Sequence, residues 1–329
     1  MHEVLARSHP EQRRVALCRD RKGWEQWPWA QALKNTEILQ GSLYGVADWQ
    51  DDPALADLDG IFHCAAMVQH SRKDTAPVYE TNVEGTRAMV RLAAAKGCRM
   101  VYVSTSGTVG CFETPDEWAD ETSAYCGAPV TTWPYYDSKI RSEMEARNLA
   151  EQLGVELVII RPPVMLGPGD HRFRTTGNII RHLRRKLPFL LQGGIHFVDI
   201  RDAANAMAAA MFLPEPKQVY HLSGTACTVV EFFEMVAVAS GITAPRLRLP
   251  PSTALRLSKV VAKATDLLPG DRHSPLPDPV VFEMAARYWG LRSRWSDKDL
   301  GWAPRDGQQT VDETVAWLRE VHPQCAAPR

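Results

Sequence analysis

The stretch "WPYYDSKIRSEMEA" (133–146) sets Tyr135 four residues ahead of Lys139. On a helix, residues i and i+4 share a face, so the phenol and the ammonium would point the same way, with Tyr136 turned about 100° aside. A free tyrosine titrates near 10. A neighbouring ammonium favours the phenolate and draws that value down, which makes the phenol a proton donor or acceptor for a carbonyl or alcohol. The plain alternative is a surface Tyr and Lys at an ordinary helix start, because Y-x-x-x-K is a common spacing. Upstream, "VYVSTSGTVG" (101–110) runs a buried strand into small hydroxyl residues and glycines. A parallel strand delivers ligand-contacting residues at its C-terminal end, where Ser104, Thr105 and Ser106 stand. A polar strand-end turn without chemistry would read the same.

These residues need a scaffold. "RRVALC" (13–18), "GIFHCAA" (60–66), "RMVYVST" (99–105) and "ELVIIRP" (156–162) are apolar runs of the kind buried on both faces of a parallel sheet. Between them, 78–97 and 138–154 carry helical spacing and end on Gly. The alternation predicts an α/β fold, a doubly wound parallel sheet with right-handed crossovers. Residues 1–163 would form a dinucleotide-binding domain, with 197–224 returning to it. The Pro-rich segments 164–196 and 225–320 would form a smaller C-terminal substrate lobe, and 321–329 a flexible tail.

Bulk properties narrow the class. The chain has 329 residues, a 45% hydrophobic and 23% charged composition, and a formal net charge of −1. This suggests one large or two modest domains and gives no field for nucleic acid or anionic lipid. Seven cysteines without a C-x-x-C pair argue against a disulfide framework or a metal site and for a reducing, cytoplasmic location. No apolar run approaches the roughly 20 residues of a membrane span, and "MHEVLARSHPEQRR" is too charged for a secretory leader.

Taken together, "DGIFHCAA" (59–66), "NVEGT" (82–86), "STSGTVG" (104–110), "YYDSK" (135–139), "RPPVMLGPGD" (161–170) and "FVDIRDAANA" (197–206) stand in a specific order. The chain, over roughly residues 1–320, resembles an extended short-chain dehydrogenase/reductase. The resemblance is to the branch with NAD(P)-dependent epimerases, 3β-hydroxysteroid dehydrogenases and dihydroflavonol-type reductases. It implies a Rossmann-type sheet and an oxidoreductase that moves a hydride between a nicotinamide cofactor and a secondary alcohol or ketone. Tyr135 would be the general acid/base, and Lys139 would hold the nicotinamide ribose and lower the tyrosine pKa. Ser106 would polarise the substrate oxygen, with Ser104 and Thr105 as close alternatives. Ala65 and Ala66 would pass under the cofactor, Val164 would lie near the nicotinamide amide, and Asn82 would tie helix to strand. "ALCRDR" (16–21) puts Arg19 where a basic residue reads the 2′-phosphate, so the cofactor is NADP, with NAD allowed. A homodimer is also allowed.

Two departures stand out. Ser42 occupies a position where the family pattern has an acidic residue for the adenine amine. No glycine precedes Gly23, so the glycine-rich turn that meets a pyrophosphate is absent. Residues 1–14 read as the back half of the family's first helix, and about 15–25 residues of strand, turn and half-helix are expected upstream. Two rivals remain. A nucleotide-sugar epimerase or dehydratase would use the same Tyr and Lys, although Gly107 and Thr108 offer no Asp-Glu pair for dehydration. A non-catalytic NADP-binding or scaffold protein would bind without turnover.

The substrate is a small molecule. "STALRLSKVVAKATDLL" (252–268) predicts an amphipathic basic helix with Leu255, Leu257, Val260, Val261 and Leu268 on one face. "FEMAARYWG" (282–290) adds Met284, Tyr288 and Trp289. These residues suit a lipophilic or aromatic pocket, or the core of the lobe, which is the commoner use.

Overall fold

A computed structural model of the chain describes residues 1–250, 252–256, 259–260 and 278–325. The apolar runs form parallel strands. β1 (Arg14–Cys18) pairs with β2 (Thr36–Gln40), a strand that the sequence reading had not marked. β3 (Gly60–His63), β4 (Arg99–Val103), β5 (Leu157–Arg161) and β9 (Val219–His221) lie side by side in that order, all parallel. Among the described residues no strand joins β1 to β3, so the sheet is in two pieces. Ahead of β1, the helix His2–Ser8 packs Val4 and Leu5 on Ala204 and Ala208.

Both faces of the four-stranded piece are covered, which is why its strand interiors are apolar on both sides, with His63, Arg99, Arg161 and His221 only at strand ends. Along β4, Met100 and Tyr102 face the helices Gly85–Lys96 and Pro134–Leu153, meeting Met89, Val90, Ala146 and Ala150. Val101 faces the other way, onto Ala203, Met207 and Ala210 of the helix Ile200–Phe212. The two-residue period of a strand divides the core in this way.

The helix expected over 138–154 begins earlier, at Pro134, a residue suited to a first turn because it lacks an N–H. It ends at Gly154, whose left-handed φ of 69° any side chain would resist. The helix expected over 78–97 is divided by a wide π-type turn at Glu80–Glu84. There Asn82 accepts from Met67 N and donates to Met67 O and Ser138 Oγ, tying the segment after β3 to the Pro134–Leu153 helix.

The lobe contains β6 (Val164–Leu166), β7 (Leu190–Leu191), β8 (Gly194–Asp199), β10 (Thr225–Thr228) and β11 (Arg248–Leu249). β8 lies between β10 and β6, and β11 pairs with β7. The helices Gly177–Leu183, Val229–Ser240 and Gly307–Val321 close over Ile179, Phe197, Phe232, Val236 and Val311. The return expected from 197 therefore starts inside a lobe strand, and the crossing itself is the Ile200–Phe212 helix followed by β9. The tail expected from 321 packs at least to Cys325, which is buried in the lobe core. Of the basic-helix face, Leu257, Val261 and Leu268 lie outside the described residues. Among the described residues no helix is long and apolar enough to cross a membrane.

Candidate active site

The strand ends of β4 and β5, the start of the Pro134–Leu153 helix, the N-terminal helix His2–Ser8, Trp29 and the lobe line a cavity of about 730 Å³. Ser106, Tyr135 and Val164 are on its wall, together with Pro162, His196 and Trp289. Lys139 lies beneath, one helical turn on from Tyr135. It is 1% exposed, donates from Nζ to Val103 O at 2.7 Å, and stands 4.2 Å from the Tyr102 ring centroid.

The three strand-end hydroxyls are not equivalent. Ser104 donates to Glu143 Oε2 at 2.7 Å, and Thr105 accepts from Gly107 N at 3.3 Å, capping the short turn Ser106–Thr108. Ser106 Oγ makes no hydrogen bond among the described residues, and its backbone N–H is held by Pro162 O at 2.8 Å. The geometry thus separates residues that the sequence left as alternatives.

The two tyrosines differ as well. Tyr135 meets His70 edge-on at 5.9 Å, and its hydroxyl makes no hydrogen bond among the described residues. Tyr136 stacks on Trp289 at 5.2 Å and contacts Trp133 edge-on at 6.0 Å. Its ring fills the space above Gly107, where an added Cβ would come within 2.1 Å of Tyr136 Cε1. Burial pushes the Tyr135 pKa up, and Lys139 opposes that only in part, so the net direction is upward. The expectation that Lys139 draws this phenol toward neutrality is corrected here: its ammonium acts in that direction, but desolvation of the phenolate is the larger effect. Burial also lowers the Lys139 pKa, against the support of Tyr135 and Glu143.

Under the strand ends lies a buried ion pair that the sequence reading missed. Glu143 accepts from Arg161 Nε at 3.0 Å, Tyr125 Oη at 3.1 Å and Arg147 Nη2 at 3.4 Å, besides Ser104. Arg161 is 2% exposed and also touches His221 Nε2 at 3.2 Å. Burial alone would raise the Glu143 carboxyl, but Arg161, Ser104 and Arg147 outweigh it and hold it below the ordinary value. The pair fixes β4, β5 and the helix to one another.

His196 was also missed. Gly224 N donates to its Nε2 at 2.8 Å, which leaves the ring proton on Nδ1. Nδ1 has no hydrogen-bond partner among the described residues, and burial brings the imidazole pKa down to about 4. A histidine inside the apolar run "GGIHFVDI" was the available signal. Met284 and Trp289 line the cavity and are not confined to the lobe core, whereas Tyr288 pairs through its backbone with Phe112.

The expected adenosine-side residues lie apart from this wall. Ala65 and Ala66 are exposed just past β3, and Arg19 is exposed at the end of β1. The adjacent Asp20 is turned away, accepting from Gly23 N at 3.0 Å to cap the helix Arg21–Glu25.

With the geometry established, three comparisons bear on it. Residues 2–223 match the model of the NAD dependent epimerase/dehydratase family. "Sterol demethylase protein B" of Methylococcus capsulatus is 27% identical over 274 residues, 81% of this chain and 80% of that protein. A dihydroflavonol 4-reductase of Callistephus chinensis is 32% identical over 126 residues, 36% of this chain and 34% of that protein. Among solved structures, a dTDP-glucose 4,6-dehydratase from Bacillus anthracis in complex with NAD superposes with a TM-score of 0.74 at 16% identity, covering 98% of this chain and 93% of that one.

Proposed function

The chain belongs to the NAD-dependent epimerase/dehydratase family, and from that premise we propose that it is an NADP-dependent oxidoreductase. Its substrate is a secondary alcohol or ketone on a lipophilic or aromatic skeleton. The observation that carries this reading is a pair of unengaged hydroxyls, on Ser106 and Tyr135, on the wall of a cavity also lined by the apolar Val281, Met284 and Trp289. Pockets for small molecules are mostly apolar with a few convergent polar groups. The relatives named for sterol and dihydroflavonol chemistry support the same skeleton class.

The residues present fit the nicotinamide end of the cofactor. Val103 O takes one of the three Lys139 N–H donors, which leaves the others for a ribose hydroxyl. Val164, 37% exposed on the cavity wall, would flank the ring, with Ala65 and Ala66 under the cofactor. Arg19 has no ion-pair partner among the described residues, and Asp20 is occupied as a cap, so this strand end offers positive charge to a 2′-phosphate. When bound, the cofactor supplies or takes the hydride at the substrate carbon. In reduction, Ser106 Oγ donates a hydrogen bond to the carbonyl oxygen. Tyr135 Oη gives that oxygen its proton as the C–O π bond breaks, and the resulting phenolate faces the Lys139 ammonium. Oxidation runs the same proton back.

A dehydratase is disfavoured because Gly107 is pressed against Tyr136 and Thr108 Oγ1 is spent on Thr105 O at 2.9 Å. The test is NADPH consumption by the 329-residue chain with a panel of aromatic, flavonoid-like and steroid ketones. Turnover that Tyr135→Phe abolishes supports the reading. Stoichiometric NADPH binding with no turnover of any ketone, or isomerisation of a nucleotide sugar, would replace it.

A further inference from the structure

Part of the cavity wall is assembled from three distant pieces of chain. Val68 and His70 come from the segment after β3, Tyr135 and Tyr136 from the start of the Pro134–Leu153 helix, and Val281 and Met284 from the helix Pro279–Ala285. One carboxylate joins all three. Glu283 Oε2 accepts from Arg72 Nη2 at 2.7 Å and from Trp133 Nε1 at 2.8 Å, while Oε1 accepts from Arg72 Nη1 at 3.3 Å. Arg72 also donates at the same junction from Nε to Thr132 O at 3.1 Å and from Nη2 to Thr132 Oγ1 at 3.0 Å.

The chemistry of this junction differs from that of an ordinary surface pair. A two-point guanidinium–carboxylate contact fixes orientation as well as distance. The Arg72 side chain is 43% exposed and that of Glu283 19%. The third member is the indole of Trp133, which is 1% exposed and has Glu283 as its acceptor. Each partner sits within a few residues of the cavity wall: Arg72 two positions after His70, Trp133 two before Tyr135, and Glu283 between Val281 and Met284. The junction stands outside the wall and touches neither Ser106 nor Lys139.

We propose that Glu283 is a positioning residue which, through Arg72 and Trp133, holds the apolar wall over Tyr135 and so sets how tightly a lipophilic substrate is held. Resting on the oxidoreductase reading above, it assigns the junction to substrate binding and not to the proton step. The wall packs against the substrate skeleton in the ground state and the transition state alike. Loosening it therefore raises KM while leaving kcat nearly unchanged.

The experiment compares the full chain with Glu283→Gln, Arg72→Ala and the charge exchange Arg72→Glu/Glu283→Arg. Hydrogen exchange across 68–74 and 279–289 reads positioning without any need for turnover. Steady-state kinetics with a bulky aromatic ketone and NADPH read its consequence. Losing a charge-assisted contact of this partly exposed kind should raise KM about 10-fold, with kcat within about 3-fold. Exchange in both segments should speed up together, and the charge exchange should restore part of both effects. The proposal is overturned if exchange in 68–74 is unchanged in Glu283→Gln, or if kcat falls while KM holds. If no ketone is turned over, the function reading fails, yet coupled exchange in the two segments still decides whether Glu283 positions the wall.

Discussion

Replacing Tyr135 by Phe removes one phenol oxygen and keeps the ring. Because that oxygen makes no hydrogen bond among the described residues, its loss strands no buried partner. The usual penalty of about 1–3 kcal/mol for an orphaned group does not arise. A chain of 329 residues unfolds with an entropy near 0.7 kcal/mol/K, so a change under about 1 kcal/mol moves Tm by less than about 2 °C. The variant should melt with the parent. The rate should fall by about 10²–10⁴, the usual contribution of a general acid/base, equivalent to about 3–5 kcal/mol of barrier. Tyr136→Phe also deletes a hydroxyl with no hydrogen bond among the described residues and keeps the stack on Trp289. It should turn over within a few-fold of the parent. The assay is steady-state reduction of a ketone found in the substrate panel, with cofactor affinity from NADPH fluorescence and Tm from calorimetry. Reduction by the parent should also weaken as pH rises through the Lys139 pKa, which burial sets below that of an ordinary lysine. A dead Tyr136→Phe beside an active Tyr135→Phe would refute the assignment, and so would a pH profile that is flat up to the ordinary lysine value of about 10.4.

Glu143→Gln leaves Arg161 buried and unpaired, which should cost about 3–5 kcal/mol and lower Tm by about 4–7 °C. The native carboxyl is held below its ordinary pKa, so its contribution is present above the unfolded glutamate value and fades as pH falls through the lowered one. Melting curves across pH should therefore show a flatter acid limb in the variant, and an acid limb as steep as the parent's would contradict this. Arg19→Ala should weaken NADPH by about 10- to 150-fold and NADH little, as measured by titration; equal losses would show that the 2′-phosphate is not read there. Gly107→Ala drives a methyl to 2.1 Å from the Tyr136 ring, and overpacking of this kind costs about 1–3 kcal/mol. A calorimetric Tm equal to the parent's would mean that the ring yields freely.

The residues themselves determined what depends on short spacing. The unbroken apolar runs at 100–103 and 157–160 had to be strands covered on both faces, because nothing in them could face water. Four-residue spacing on a helix had to bring Tyr135 and Lys139 to one side, because the helical repeat is fixed by backbone geometry. The order of landmarks from 59 to 206 carried the family. Tertiary structure decided which groups remain free. Ser104, Thr105 and Ser106 are indistinguishable as a tripeptide until Glu143, 39 residues on, takes the first hydroxyl. Tyr136 is a packing residue because Trp289 and Gly107 enclose it. The direction of the Tyr135 pKa also lay beyond sequence, since it is a contest between Lys139 nearby and desolvation by the whole enclosure. The glutamate at 283 reads as one more polar helix position until folding sets it beside Arg72, across 211 residues of chain. Spacing fixes what a few turns of backbone can reach, whereas burial and partner choice are set by contacts that exist only after the chain has closed on itself.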